Sequence, residues 1–320
     1  MDQFLDTNIF VAIFLPILIG LVMYVMGLSL TVADFKRLLD SPKAVGIGIL
    51  AQIIGAPLIA FGLAHIFNLD PILSVGLVLL ASVPGGPMSN FLTFLADADV
   101  ALAVSLTAIN SVITIFTIPL IVNLAANYFT GTTYVLHLPF WETIVQIALV
   151  TLLPIILGLI THTYFSNFSN KVLKVAKIVT PIVLIAVVFT AMIIEREFFV
   201  AFAKQAALIA SALAVCMFAF GYFIGAPFRL GKKQRATLGI EVGMQNASLA
   251  ISIAVSPYLL NAPQVAIVPS AYGFVMSVIV VGYIYLVTRD SSVQDKRRNN
   301  IFLVGFVIAI VTMLILIFVL

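Results

Sequence analysis

The chain has 320 residues, of which 62% are hydrophobic and 9% are charged, and its mean hydropathy is +1.21. Soluble globular domains carry roughly one quarter charged residues, so this composition excludes that class. The formal net charge is +3. Basic residues clustered between apolar segments account for it, and no nucleic-acid partner is needed to explain it.

Ten apolar segments follow one another along the chain, and each has about the 20 residues that an α-helix needs to cross a bilayer. The alternating segments of a membrane β-barrel are not visible, so we expect an all-α polytopic membrane protein with about ten transmembrane helices. The predicted spans are about 8–30, 44–67, 72–95, 100–123, 140–162, 178–195, 206–228, 236–260, 265–288 and 301–320.

The links between the spans predict the orientation of the chain. Fourteen of the 16 Lys and Arg residues fall in links that follow odd-numbered spans, and Arg196 and Lys204 are the two exceptions. The positive-inside rule places those basic links in the cytoplasm, so both termini are predicted to be external. The first residues, MDQFLDTN, lack the basic region of a signal peptide and no cleavage site follows, so we expect the first span to be retained.

Two spans contain sequences that interrupt a helix. In the third span, residues 83–90 read VPGGPMSN, where two prolines remove backbone donors and two glycines add conformational freedom. In the eighth span, residues 241–246 read EVGMQN. Both contain a helix breaker followed by Met, a polar residue and Asn, and the two spans run in opposite directions. This combination is typical of inverted repeats whose broken helices form a site near the bilayer midplane.

Glu241 is the acidic residue inside the second interruption, and a charge at the centre of a span costs about 2.5–3.5 kcal/mol on insertion scales. The predicted spans contain no Lys or Arg except near their ends. The carboxylate must therefore reach the interface or the nearby Arg235, take up a proton, or bind a metal cation. Neutral oxygen donors favour a hard monovalent cation, with sodium as the first choice. These donors are Gln52, Ser89, Asn90, Thr107, Gln245 and Asn246.

A cation-coupled carrier also needs a cargo. The N-terminus of a broken helix is the positive end of its dipole, so an anionic cargo is favoured there.

Three stretches together resemble the bile acid:sodium symporter family, including bacterial homologues of the apical sodium-dependent bile acid transporter. They are MGLSLTVADFKRLL at 26–39, VPGGPMSN at 83–90 and GIEVGMQN at 239–246, and the resemblance extends over about residues 8–288. It implies a secondary active transporter of a bacterial inner membrane. The implied reaction is sodium-coupled symport of an organic anion by alternating access.

The resemblance also implies an architecture. A transporter domain over residues 1–288 would contain two inverted repeats with two crossed discontinuous helices, the first repeat lacking its lead helix. The implied parts are repeat one at about 8–123, repeat two at about 140–288, a core at about 44–123 and 206–288, and a panel at about 8–30 and 140–195. Residues 289–320 would be a basic link and an additional C-terminal transmembrane helix without a counterpart in the family.

The two sodium sites of the family map onto this chain residue by residue. The first would comprise Ser89, Asn90, Thr107 and Glu241. The second would comprise Gln52, Glu241 and Gln245 with the backbone carbonyls of Val242 and Met244. Two sodium ions are the cofactors that this implies, with the lipid bilayer as surroundings and no obligate protein partner.

The substrate site maps less completely. It would comprise Gly86, Pro87, Met88, Ser89, Asn90, Asn246 and Ser277. Relatives that bind bile acids carry polar His or Asn side chains where this chain reads YGFVMSV at 272–278. A smaller carboxylate is therefore at least as well supported as a bile acid.

Other function classes fit the sequence less well. An intramembrane protease needs paired aspartates, or Ser with His, inside spans, whereas Asp97 and Asp99 lie at a predicted turn, so we do not expect an enzyme. An arsenite-type exporter would use a thiol, and Cys216 lies outside the interrupted motifs. Proton-coupled transport of an organic anion and a non-transporting membrane sensor on the same scaffold stay open as alternatives.

Ala103 stands one turn before Thr107, where bacterial relatives can carry a serine ligand of the first sodium ion. We expect Ala103→Ser to add an oxygen donor and so to lower the sodium concentration that half-activates uptake into proteoliposomes. An unchanged half-activating concentration would mean that water or another group already completes the site.

Overall fold

The computed structural model describes residues 2–31, 41–131, 136–176 and 196–288, without the side chains of residues 2–15, 87 and 196–203. The predicted spans at 178–195 and 301–320 lie outside the described residues. Every regular element within the described ranges is a helix, as the composition predicted.

The first group of helices ends at Thr130. Its members are α1 (Asp2–Ser29), α2 (Pro42–Leu50), α3 (Ala56–Ile66), α4 (Pro71–Ala81), α5 (Pro87–Leu95) and α6 (Val100–Thr130). Aspartate N-caps begin α4 and α6, because Asp70 accepts a hydrogen bond from the Ile72 amide at 2.9 Å and Asp99 accepts one from the Leu102 amide at 3.1 Å.

The second group begins at Phe140. Its members are α7 (Phe140–Ile147), α8 (Leu153–Tyr164), α9 (166–176), α10 (Arg196–Ile224), α11 (Lys232–Gly243), α12 (Ala247–Val255) and α13 (Ile267–Thr288). Helix α10 begins well before the predicted start at 206, because it continues into polar residues that an apolar criterion excludes.

Five continuous helical segments of the described chain are long and apolar enough to cross a membrane. They are Pro42–Ile66, Val100–Thr130, Phe140–Tyr164, Lys204–Ile224 and Pro263–Thr288. The chain is therefore an integral membrane protein, as its hydropathy predicted.

Two of these segments contain a π-helical turn, Ala51–Gly55 between α2 and α3 and Ala148–Leu152 between α7 and α8. Each turn is followed by a proline in the next helix, Pro57 and Pro154. Proline has no amide proton and its ring crowds the carbonyl four residues earlier, so a wider turn accommodates it. The first of these turns carries Gln52 into the protein interior.

The two interruptions predicted from the sequence are present, between α4 and α5 and between α11 and α12. The breaks lie against each other. Pro84 and Gln245 form an antiparallel bridge, and the Asn246 amide donates to the Val83 carbonyl at 3.0 Å. Four helix ends therefore meet inside the protein.

The packing around the breaks shields them from lipid. Helix α1 packs against α8, while α10 packs against α11 and α13. Helix α4 is buried continuously from Leu73 to Ala81. The irregular backbone that follows α4 is buried at Ser82 and Val83 and half-buried over residues 84–86. At membrane depth such backbone is tolerated inside protein or against a water-filled cavity.

Gly85 and Gly86 are adjacent but have different surroundings. A Cβ at Gly85 would stand 2.5 Å from the Met244 carbonyl oxygen, whereas a Cβ at Gly86 would meet no atom within 4 Å. We expect Gly85→Ala to force the breaks apart and to destabilise the protein by about 1–3 kcal/mol. Gly86→Ala is the matched control and should leave the melting temperature in detergent nearly unchanged. Equal melting temperatures for the two variants would contradict this packing.

Candidate functional site

The C-terminal end of α11 lies inside the protein, where the last four carbonyl groups of a helix lack partners in a following turn. Side chains and the capping amide supply the missing donors. The donor–acceptor pairs are Met244 N to Ile240 O at 2.8 Å, Gln52 Nε2 to Glu241 O at 2.7 Å, Gln245 Nε2 to Val242 O at 2.8 Å and Tyr272 Oη to Gly243 O at 2.6 Å. The broken backbone is therefore satisfied by residues that also surround the Glu241 side chain.

Glu241 lies in the last turn of α11 and is fully buried. Its Oε2 accepts a hydrogen bond from Thr107 Oγ1 at 3.1 Å, and Ser89 lies against the same carboxylate. The other oxygen, Oε1, has no hydrogen-bond partner among the described residues. Glu241 does not form the ion pair with Arg235 that the sequence left open. The Arg235 guanidinium instead lies 4.3 Å above the Tyr222 ring and donates to the Tyr222 carbonyl at 3.1 Å.

The first predicted sodium set comes together between α5, α6 and α11, with Ser89, Asn90, Thr107 and Glu241 all buried. Thr107 is its centre, since Thr107 Oγ1 lies 3.2 Å from Asn90 Oδ1 and 3.1 Å from Glu241 Oε2. Thr107 Oγ1 also lies 2.9 Å from the Ala103 carbonyl oxygen, and because the hydroxyl has one proton it donates to only one of these three acceptors at a time. The carbonyl at position 103 therefore already engages this cluster, even though the residue has no side-chain oxygen.

The second predicted set gathers around the end of α11. Gln52 reaches the backbone carbonyl of Glu241 and not its carboxylate. Gln245 Nε2 donates to the Val242 carbonyl and lies 3.5 Å from Met217 Sδ, while Gln245 Oε1 has no partner among the described residues. The Met244 carbonyl faces Gly85 of the other break. Unpaired acceptors of Glu241 and Gln245 are therefore available beside the break.

A cavity lies beside the two breaks, and its empty space of about 390 Å³ includes open solvent. Its walls include Gly86 and Asn246 from the breaks, Asn110 and Thr114 from α6, Met23 from α1, and Thr151 from the π-helical turn after α7.

Two predicted substrate residues, Gly86 and Asn246, line this cavity, and they are the N-caps of α5 and α12. Asn246 Oδ1 accepts a hydrogen bond from the Leu249 amide at 3.0 Å. Gly86 has no side chain, and its carbonyl accepts the Ser89 hydroxyl at 2.8 Å. A side chain therefore caps an N-terminal amide of α12, whereas α5 has no side-chain cap.

The other predicted substrate residues lie outside the cavity lining. Ser89 and Asn90 are buried in the first turn of α5, and Met88 packs against the core. Pro87 begins α5, and its side chain is not described. Ser277 is exposed and its hydroxyl donates to the Gly273 carbonyl at 2.9 Å, so the structure does not bring it to the cavity.

Two buried residues of the site were missed by the sequence analysis, Asn110 and Tyr272. Asn110 Nδ2 donates to Gln52 Oε1. Asn110 follows Thr107 by three residues, so both lie on one face of α6, and this spacing was a usable signal. Tyr272 caps the Gly243 carbonyl, and nothing in the sequence indicates that contact because it depends on how α13 packs.

Comparison with known proteins identifies the family. The family model described as "Sodium Bile acid symporter family" matches residues 16–202. The chain belongs to the sodium/bile acid symporter family. This is a family of membrane transporters and not of enzymes, and sodium transport and symport are its shared activity. The resemblance inferred from the interrupted spans is confirmed.

Two relatives illustrate the reach of this family. The "Probable sodium/metabolite cotransporter BASS2, chloroplastic" of Oryza sativa subsp. japonica is 31% identical over 277 residues, covering 86% of this chain and 62% of the rice protein. The "Uncharacterized sodium-dependent transporter YocS" of Bacillus subtilis (strain 168) is 31% identical over 249 residues. The match covers 77% of this chain and 74% of the Bacillus protein. The chain thus spans less than two thirds of the rice relative.

Tyr272 tests how the break is stabilised. Tyr272→Phe removes the donor to the Gly243 carbonyl and leaves a buried acceptor unpaired, which costs about 1–3 kcal/mol. We expect a lower melting temperature in detergent for this symporter-family protein. Tyr258→Phe is the control, because Tyr258 is 68% exposed, and it should melt like the parent. A Tyr272→Phe variant as stable as that control would show that the hydroxyl is dispensable.

Proposed function

We propose that this protein is a secondary active transporter that couples the entry of sodium to the uptake of a small organic anion. The observation that carries the proposal is the Glu241 carboxylate. It is fully buried, one of its oxygens has no hydrogen-bond partner among the described residues, and Thr107 and Ser89 are neutral neighbours.

A buried carboxylate without a counter-charge is expensive, and removing one partner of a buried ion pair costs about 3–5 kcal/mol. A bound cation or a proton must therefore compensate Glu241. The neutral oxygen atoms of Ser89, Asn90 and Gln245 around it favour a hard cation. The names of both relatives specify sodium, which supports sodium over a proton.

Two sodium ions are proposed, with Glu241 shared between them. The first ion would bind Ser89, Asn90, Thr107 and Glu241. The second would bind Gln52, Glu241 and Gln245 with the carbonyls of Val242 and Met244. The Val242 carbonyl already accepts one hydrogen bond, and a carbonyl oxygen keeps a second lone pair for an ion.

The cavity beside the breaks is the proposed substrate site. Its small volume favours a small carboxylate over a steroid-sized bile acid. The N-termini of α5 and α12 meet there, and the exposed amides and the dipole at a helix N-terminus favour a negative group. Two sodium ions that enter with a monoanion, down roughly tenfold gradients and across about 100 mV, supply about 5 kcal/mol for concentrating it.

The proposed mechanism is alternating access between a core and a panel. Repeats over about 8–123 and 140–288 would supply a core at about 44–123 and 206–288 and a panel at about 8–30 and 140–195. The cavity lining includes residues of both proposed parts, such as Asn110 of the core and Met23 and Thr151 of the panel. Movement of the panel would therefore open or close the cavity. A bacterial inner membrane with both termini external is the proposed setting.

Glu241→Gln tests the coupling because it removes the charge and keeps the shape. We expect sodium affinity to fall by at least about 100-fold, the equivalent of the roughly 3 kcal/mol lost when a buried charge pair is broken. Uptake into proteoliposomes and the sodium-induced rise in melting temperature should both be lost. Glu142→Gln is the control, because Glu142 is exposed and lies outside the site.

Replacement of sodium by choline separates the candidate functions. Uptake by the parent that persists in choline and follows a pH gradient would replace sodium coupling with proton coupling. Sodium binding without any uptake would favour a sensor on this scaffold.

A further inference from the structure

Asn110 links the proposed second sodium site to the substrate cavity. It lies on α6, its side chain is 1% exposed, and it forms part of the cavity wall. No residue of the predicted sodium or substrate sets occupies this connecting position. The following inference rests on the proposed function.

The amide nitrogen of Asn110 contacts a residue of the proposed second sodium site. Asn110 Nδ2 donates to Gln52 Oε1, and Gln52 Nε2 donates to the Glu241 carbonyl at 2.7 Å. Both ends of the Gln52 amide are thereby fixed. A glutamine side chain is flexible, so the contact from Asn110 sets the direction in which Gln52 Oε1 presents its second lone pair.

Asn110 lines the cavity, and its amide oxygen is buried without a hydrogen-bond partner among the described residues. Of the described side chains that line the cavity, Asn110 alone has a buried polar atom without a hydrogen-bond partner, namely Oδ1. The hydroxyls of Ser111, Thr114 and Thr151 in the same cavity donate to carbonyls of their own helices. An unpaired buried acceptor is unfavourable, so a ligand with a donor in this position is favoured.

We propose that Asn110 is a positioning residue that orients the sodium ligand Gln52 with its nitrogen and accepts a hydrogen bond from the cargo with its oxygen. The cargo class is then a small organic anion that carries a hydroxyl or amino donor beside its carboxylate. Binding at either end of one rigid amide favours the orientation needed at the other end. Asn110 thereby makes sodium affinity and cargo affinity depend on each other.

The sodium half is tested with Asn110→Ala in the full chain, by following melting temperature in detergent as sodium replaces choline at constant ionic strength. We expect the half-saturating sodium concentration to rise by about tenfold, the usual effect of removing a group that orients a metal ligand. Ser111→Ala is the control, because Ser111 lines the same cavity without touching Gln52. If the Ala variant does not melt cooperatively in choline, Asn110→Leu replaces it, because Leu restores the side-chain volume.

A double-mutant cycle with Gln52→Ala distinguishes positioning from a merely structural role. If Asn110 acts through Gln52, Asn110→Ala should have little further effect on sodium dependence in the Gln52→Ala background. Additive effects, or a sodium dependence of Asn110→Ala equal to that of Ser111→Ala, would overturn the sodium half. Failure of the proposed function would look different, because the parent itself would then not respond to sodium.

The cargo half is tested with pairs of acids that differ by one donor. Lactate is compared with propionate, and longer α-hydroxy, β-hydroxy and α-amino acids with their unsubstituted partners, each by the rise in melting temperature in saturating sodium. We expect the parent to favour the donor-bearing member by about tenfold, which corresponds to one net hydrogen bond, and Asn110→Ala to bind both members alike. Equal binding by the parent, preference for the unsubstituted acid, or no response to any donor-bearing acid would overturn this half.

Discussion

The constraint on which the rest of the site depends is the enclosure of the Glu241 carboxylate at the end of a half-helix. Glu241 is fully buried, and Arg235 contacts Tyr222 and not this carboxylate. An ionisable residue buried at membrane depth is costly and therefore points to a functional site. The two interrupted helices and the polar faces of α5 and α6 follow from the need to surround it with oxygen atoms.

The groups that stabilise the broken backbone are also the groups that hold the site. Gln52 caps the Glu241 carbonyl, Gln245 caps the Val242 carbonyl and Tyr272 caps the Gly243 carbonyl. Two of these three donors are proposed sodium ligands. Loss of Gln52 or Gln245 would leave a buried carbonyl without its hydrogen bond and would at the same time remove a proposed sodium ligand. Stability and function therefore cannot be fully separated at this break, and comparison with controls outside it is informative.

The sequence predicted the features that have local causes. Pro84 and Pro87 cannot continue a regular helix, and a carboxylate in an apolar span stands out at Glu241, so both breaks could be located and Glu241 could be chosen as the centre of the proposed site. Contacts set by packing escaped prediction, such as Tyr272 on the Gly243 carbonyl. Ser277 shows the reverse case, because a position carried over from the family lies on an exposed face of α13 here.

The two half-helices that meet at the cavity are not equivalent, and the difference bears on where an anion would bind. Asn246 uses its own side chain to cap the α12 amide of Leu249, whereas Gly86 offers α5 no side-chain hydrogen bond. In α5, Pro87 has no amide proton and the Ser89 amide donates to the Gly86 carbonyl at 3.0 Å, so the Met88 amide is the one in this turn left for an external anion. Ser89 and Asn90 of the proposed first sodium site lie in the first turn of that helix. A cation bound there would add its charge to the positive end of the α5 dipole, so the anion and the sodium ion would stabilise each other across a single helical turn.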